Sequence, residues 1–266
     1  MPTPNIYAVE GYPADQVPES MRTTSVDILY VTDRAPKVKG NGRLKYGPQR
    51  SSSMAYGNAV VEFGHGTTWE KLVEASESGN RNRPLNLKVL ERTETERFPA
   101  TPFPFSVIDG DVVDNDRVAQ EFHRVALGFR EQLNRYLRQS DKKKVLVFVH
   151  GVNTSFDEAV LTQAELWHIL GRKGVPVVYS WPAGNGGLFG YFVDRESAEF
   201  TIFHFKQFIK MMASFPEIEG IDIIAHSRGT AVTTTALREL VIETRAAGKR
   251  PRDDLCIITI SEKAPQ

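Results

Sequence analysis

Four apolar runs organise the second half of the chain: KVLVFVHG (144–151), PVVYSW (176–181), IDIIAHS (221–227) and LCIITIS (255–261). Each reads as a strand buried on both faces, because polar positions do not alternate with the apolar ones. Between them lie amphipathic stretches that predict helices. One runs from Phe156 to Leu170 and stops at Gly171. A second covers Tyr191 to Ala213, with Phe200, Phe203, Phe208 and Met211 on its apolar side, and a third is GTAVTTTALRELVIETRA (229–246). Strands that alternate with helices predict an α/β fold with a parallel sheet and helices on both faces.

The first half is less regular. Residues 1–24 are polar, contain Pro2, Pro4, Pro13 and Pro18, and read as a loosely ordered lead-in to a domain spanning 25–266. VDILYVTDR (26–34) and NAVVEFG (58–64) are strand candidates, and the Gly- and Ser-rich 42–57 between them reads as loop. The Pro-rich stretch around Pro84, Pro99, Pro102 and Pro104 reads as a surface wrap with a short strand at LKVLERT (87–93). Residues 114–139 predict a helix: Asp114, Asn115 or Asp116 can cap it, and Val118, Phe122, Val125, Phe129, Leu133 and Leu137 form its buried stripe. His123 beside that stripe, and His168 and His204 on the later helices, read as boundary residues.

Candidate chemistry sits where such sheets place it, at the carboxyl ends of the strands. In AHSRG (225–229) a serine stands at a strand-to-helix turn, with Ala225 and Gly229 as its small flanking residues. A turn that tight needs small neighbours two residues away on each side, and the following helix aims its free N–H groups at the site. Ser227 is therefore the candidate nucleophile, against the alternative of a helix cap. HGVNTSF (150–156) ends the earlier strand. Acyl transfer needs N–H donors for the oxygen that becomes negative, and Val152 and Arg228 are the expected pair. His150 and Gly151 shape that loop, and His226 neighbours the serine but should point to the opposite side of its strand. Trp181, ending a strand at the same edge, either lines an acyl pocket or packs the loop. Asp194, read as near a helix N-terminus, is favoured there by the dipole. The GNGGLFG segment (184–190) reads as a flexible loop, and no GK[ST] follows it as a phosphate loop would require. His65, between glycines, is a further loop histidine able to approach a site from outside.

Composition narrows the partners. The 33 basic and 33 acidic residues cancel, which argues against a nucleic-acid binder held by bulk charge. The single cysteine, Cys256, lies in an apolar run and reads as a buried, inert thiol; no zinc pattern is spelled out. No integral membrane segment and no signal peptide are visible, so the cytoplasm is the default compartment. No metal or organic cofactor is expected, and the expected partner is a small-molecule acyl substrate.

Several stretches together carry a resemblance: VTDRA (31–35), YGPQRSSSMAYG (46–57), VLVFVHGVNTSFDEA (145–159), YSWPA (179–183), YFVDRESA (191–198), IIAHSRGT (223–230) and ISEKAP (260–265). The chain resembles the α/β-hydrolase superfamily and, more narrowly, a bacterial family of uncharacterised α/β hydrolases. The resemblance implies an α/β-hydrolase fold, a serine-hydrolase site at Ser227, and an acid and then a histidine further along the chain. After Ser227 stand Glu239, Glu243, Asp253, Asp254 and Glu262, and no histidine. The expectation is a C-terminally truncated hydrolase domain that lacks its last strand or strands and self-associates through the exposed sheet edge. The alternative is a non-catalytic relative that binds a ligand or a protein through the same site.

Overall fold

The computed structural model describes residues 7, 9–38, 40, 42–78, 86–109, 111–251 and 258–263. Cys256, Asp253, Asp254, Pro2, Pro4 and Pro84 lie outside the described residues. The elements are β1 (Ser25–Val38), β2 (Leu44–Phe63), α1 (Trp69–Glu77), β3 (Leu87–Arg97), β4 (Phe105–Ile108), β5 (Asp111–Asp114), α2 (Asp116–Gln139), β6 (Lys144–Val149), α3 (Phe156–Ile169), β7 (Val175–Ser180), α4 (Gly187–Ala213), β8 (Gly220–His226), α5 (Arg228–Ala246) and β9 (Ile258–Lys263).

Seven strands form one sheet in the order β3-β2-β1-β7-β6-β8-β9, while β4 and β5 make a separate hairpin. The pairings β1–β7, β7–β6, β6–β8 and β8–β9 are parallel, and β1–β2 and β2–β3 are antiparallel. The apolar runs are the parallel strands, and β6 and β7 are buried on both sides as their unbroken hydrophobicity requires. One sheet face packs under α2, α4 and α5 through Phe129, Leu133, Phe205, Ile209, Val232 and Ala236. The other packs under α1 and α3 through Leu72, Phe156, Val160, Ala164 and Trp167. This is the α/β-hydrolase fold that the strand–helix alternation and the resemblance implied.

Helix starts follow the local chemistry. Asn115 caps α2 by accepting from the N–H groups of Arg117 and Val118. Ser155 and Glu158 form a reciprocal capping box at the start of α3.

Four expectations need correction. Residues 44–57 are strand, the first part of the 20-residue β2, and not loop. Their Ser, Arg and Gly content hid the strand because half of its positions face outward, and a strand needs apolar residues only where it is covered. The short strand at 87–93 extends to Arg97, and a helix, α1, precedes it. The expected loop 184–190 is helical from Gly187 onward, so α4 starts four residues before Tyr191. Finally, His168 and His204 are buried, each about 2% exposed, and not boundary residues.

His168 anchors the chain's beginning. The Tyr12 ring stacks on it at 4.7 Å, and the Tyr12 hydroxyl donates to its carbonyl at 2.9 Å. Val17 is buried, and Arg172 donates to the Met21 carbonyl while lying over the Trp69 ring at 4.7 Å. The segment before β1 is thus tied to the edge of the sheet where the parallel strands begin. Among the described residues no helix is long and apolar enough to cross a membrane.

Phe129 joins the layers: its ring meets Tyr56 of β2 at 5.2 Å, Phe208 of α4 at 6.1 Å and Phe215 at 6.3 Å. Phe129→Ala should lower unfolding free energy by about 3–5 kcal/mol, the range for truncating a buried aromatic ring. Urea titration would read this as a lower midpoint at an unchanged slope.

Candidate active site

β6 and β8 pair in parallel with Val149 opposite Ala225, so the loop after β6 and the bend after β8 leave the sheet side by side. The bend itself is unusual. Ser227 has φ 54° and ψ −122°, a backbone conformation that a residue with a Cβ ordinarily avoids. Its side chain makes no capping hydrogen bond to α5, and the residue is exposed. The helix-cap alternative therefore does not hold. Its carbonyl, not its hydroxyl, accepts from the Thr230 N–H at 3.0 Å.

Close packing explains the small neighbours. Ala225 is fully buried in β8. A Cβ on Gly229 would stand 2.5 Å from the carbonyl oxygens of both Val149 and His150, so only glycine lets α5 settle this close to the end of β6. A Cβ on Gly151 would stand 3.0 Å from the Ser227 Cβ and 3.1 Å from His226 Nδ1. Both side chains thus flank the same glycine, and the strict alternation expected to separate them breaks down at the strained bend.

The loop after β6 is held from two sides. Asp194 is fully buried, and its carboxylate accepts from the Asn153 N–H at 2.7 Å, the Gly184 N–H at 3.0 Å, the Asn185 N–H at 3.3 Å and the Asn185 side-chain amide at 2.6 Å. It lies about two turns into α4, so its contacts, and not the helix dipole, explain its burial. Asn153 itself sits at φ 52°. On the other side, Arg34 is fully buried and donates from Nη2 to His150 Nε2 at 3.3 Å and to the Thr154 carbonyl at 2.8 Å. Its remaining N–H groups reach Ser180 Oγ at 3.0 Å, the Gly47 carbonyl at 3.0 Å and the Ala183 carbonyl at 2.7 Å. Burial pushes the Arg34 guanidinium down to about 9, against the pull of the Asp33 and Asp194 charges.

His150 is neutral. Burial, then the Arg34 charge, holds its imidazole well below the ordinary histidine range. Because Arg34 can only donate, His150 Nε2 accepts, and Nδ1 carries the proton and donates to the Gly151 carbonyl at 2.8 Å. Trp181 is fully buried, stacks on the His150 ring at 4.9 Å and donates to the His150 carbonyl at 2.7 Å. It packs the loop and does not face an open pocket. Between the two anchors stands Val152. Among the described residues its N–H has no backbone acceptor. The N–H of Arg228, the first residue of α5, has no intrahelical acceptor either. The Arg228 side chain turns away to Glu199 at 2.7 Å.

The other histidines are elsewhere. His204 binds buried Asp33 at 3.0 Å and the Thr101 hydroxyl at 2.7 Å. His65 follows β2 at the end where Glu62 pairs with Ser25, so it lies at the opposite edge of the sheet from Ser227. Among the described residues no group of His, Cys, Asp or Glu converges as metal ligands would. Sequence reasoning missed Arg34 and the buried Asp33–His204 pair. The available signal was a charged pair, Asp33 and Arg34, closing an apolar strand at the edge that carries the serine.

Two expectations follow. Ser227→Gly should be more stable than Ser227→Ala by about 1 kcal/mol, because glycine relaxes the bend while both lose the hydroxyl; paired urea titrations would check this. Stability should also fall on acidification. Below the unfolded value of 6.5 the unfolded chain protonates His150 while the folded chain does not. Unfolding then gains up to about 1.4 kcal/mol per pH unit until the folded value is reached. The slope below about pH 6.5 should be shallower in His150→Gln.

The profile of alpha/beta hydrolases of unknown function (DUF900) matches residues 126–259. No curated protein matches the chain. The matched segment runs from α2 into β9 and contains the loop after β6, Trp181, Asp194 and the Ser227 bend. It spans about half of the 266 residues, and the chain belongs to this family of alpha/beta hydrolases.

Proposed function

We propose that the protein is a serine hydrolase that cleaves an ester or a related acyl bond. The observation that carries this reading is the backbone of Ser227, at φ 54° and ψ −122°, which presents an exposed, uncapped hydroxyl where β8 turns into α5. A strained conformation is kept where surrounding structure enforces it, and here Gly151 packs against Ser227 while Gly229 packs against the end of β6, with little room for a Cβ on Gly151 and none on Gly229.

In the proposed reaction Ser227 Oγ attacks the acyl carbon and gives up its proton to a general base. The carbonyl oxygen becomes negative and accepts from the N–H groups of Val152 and Arg228. Collapse expels the alcohol, thiol or amine with a proton, and water then releases the acid by the same steps in reverse. His150 does not suit the role of base: burial and the Arg34 charge hold its basicity well below that of an ordinary histidine, and its two ring nitrogens are committed to Arg34 and Gly151. His204 is likewise committed to Asp33 and Thr101. These commitments favour a second reading, a ligand-binding relative that keeps the bend without the chemistry.

A fluorophosphonate probe separates the two. It should add to one serine, mapped by peptide mass to Ser227, and Ser227→Ala should abolish the adduct. A folded protein that gains no adduct at Ser227 would overturn the hydrolase and favour the binder.

A further inference from the structure

Arg34 stands outside the reaction as drawn, yet it touches both ends of the loop beside Ser227. Its guanidinium has five N–H donors. They reach Ser180 Oγ, His150 Nε2 and the carbonyls of Gly47, Thr154 and Ala183. None of these acceptors is a carboxylate, so the ordinary reason for burying an arginine, pairing it with an acid, does not apply. What the arginine joins is geometry. Ser180 ends β7, Ala183 lies beyond it, Gly47 belongs to β2, and His150 and Thr154 bracket the loop after β6. A single nitrogen, Nη2, spans that loop from His150 to Thr154.

We propose that Arg34 is a positioning residue for the oxyanion hole, fixing the loop 150–154 so that the Val152 N–H keeps its place beside Ser227. The inference rests on the reading of Ser227 as a nucleophile. Within the loop, Asn153 donates to Asp194 and so cannot serve the oxyanion, whereas the Val152 N–H has no backbone acceptor among the described residues. Without the guanidinium, the Thr154 and Ala183 carbonyls lose their donor together and His150 Nε2 keeps only the Ser180 hydroxyl at 3.5 Å, and buried acceptors without donors draw water or rearrange. The loop would relax first, because the strands on either side are held by their own ladders. Lysine does not substitute: one ammonium on a flexible stem cannot bridge His150 and Thr154 while also reaching Ser180 and Ala183.

The test uses Arg34→Ala and Arg34→Lys with two readouts. The first is fluorophosphonate labelling of Ser227, resolved into a maximal rate constant and a half-saturating probe concentration. Phosphonylation places an oxygen where the oxyanion would sit, so misplaced donors should slow the maximal rate about ten-fold or more, with half-saturation changed less than about three-fold. Guanidinium ion at tens of millimolar should recover part of the rate in Arg34→Ala, and urea should not. The second readout is amide exchange at Asn153, whose N–H is bonded to Asp194; it should accelerate about ten-fold while β6 stays protected. A folded Arg34→Ala that labels at the wild-type rate overturns the proposal, whatever its stability. So does slowed labelling with unchanged exchange at Asn153, because the loss would then not act through the loop. If Arg34→Ala does not fold, Arg34→Lys is read by the same criteria. If wild type gains no adduct at Ser227, the hydrolase reading fails, and amide exchange alone still decides whether Arg34 holds the loop.

Discussion

One buried positive charge organises the edge of the sheet where the chemistry lies. Arg34 is fully enclosed and satisfied by backbone carbonyls, a hydroxyl and an imidazole. Removing a guanidinium from water costs several kcal/mol, and neutral acceptors return that cost only if every N–H finds one. The acceptors come from β2, from the end of β7 and the turn beyond it, and from the loop after β6. None of these segments can shift without stranding a donor. Burial first, and then the charge of Arg34 beside it, disfavours the protonated form of His150.

Asp194 plays the complementary part. It is equally buried, and its carboxylate is satisfied by N–H donors: three from the backbone and one from the Asn185 amide. The guanidinium holds the short loop at His150 and Thr154, and the carboxylate holds it at Asn153 between them. Close packing at Gly151 and Gly229 completes the enclosure. The bend at Ser227 is thus held by contacts spread over much of the fold, which is how a backbone strained by about 1–3 kcal/mol persists.

The parallel core was legible because buried strands write themselves as unbroken apolar runs, as VLVFV and PVVY do. The bend was legible because it demands small residues at fixed offsets. β2 was not, since its polar positions are those of an outward face and its glycines and serines look like loop. The start of α4 was not, since glycine lowers helix propensity, and it is the Asp194 carboxylate, reaching back to Gly184 and Asn185, that ties down the turn before the helix. Arg34 was hidden for a deeper reason. Its partners are largely main-chain carbonyls, and every residue has one, so no pattern of side chains announces them. His204 and Asp33 lie far apart in sequence, and their pairing exists only once α4 has packed across β1.

The opening turns of α4 carry Leu188, Phe189, Tyr191 and Phe192, all exposed to solvent. Two residues after Phe192, Asp194 holds the backbone of Asn153. The opening turns of α4 and the loop beside Ser227 are therefore tied through one side chain, because the same carboxylate accepts from Asn153, Gly184 and Asn185.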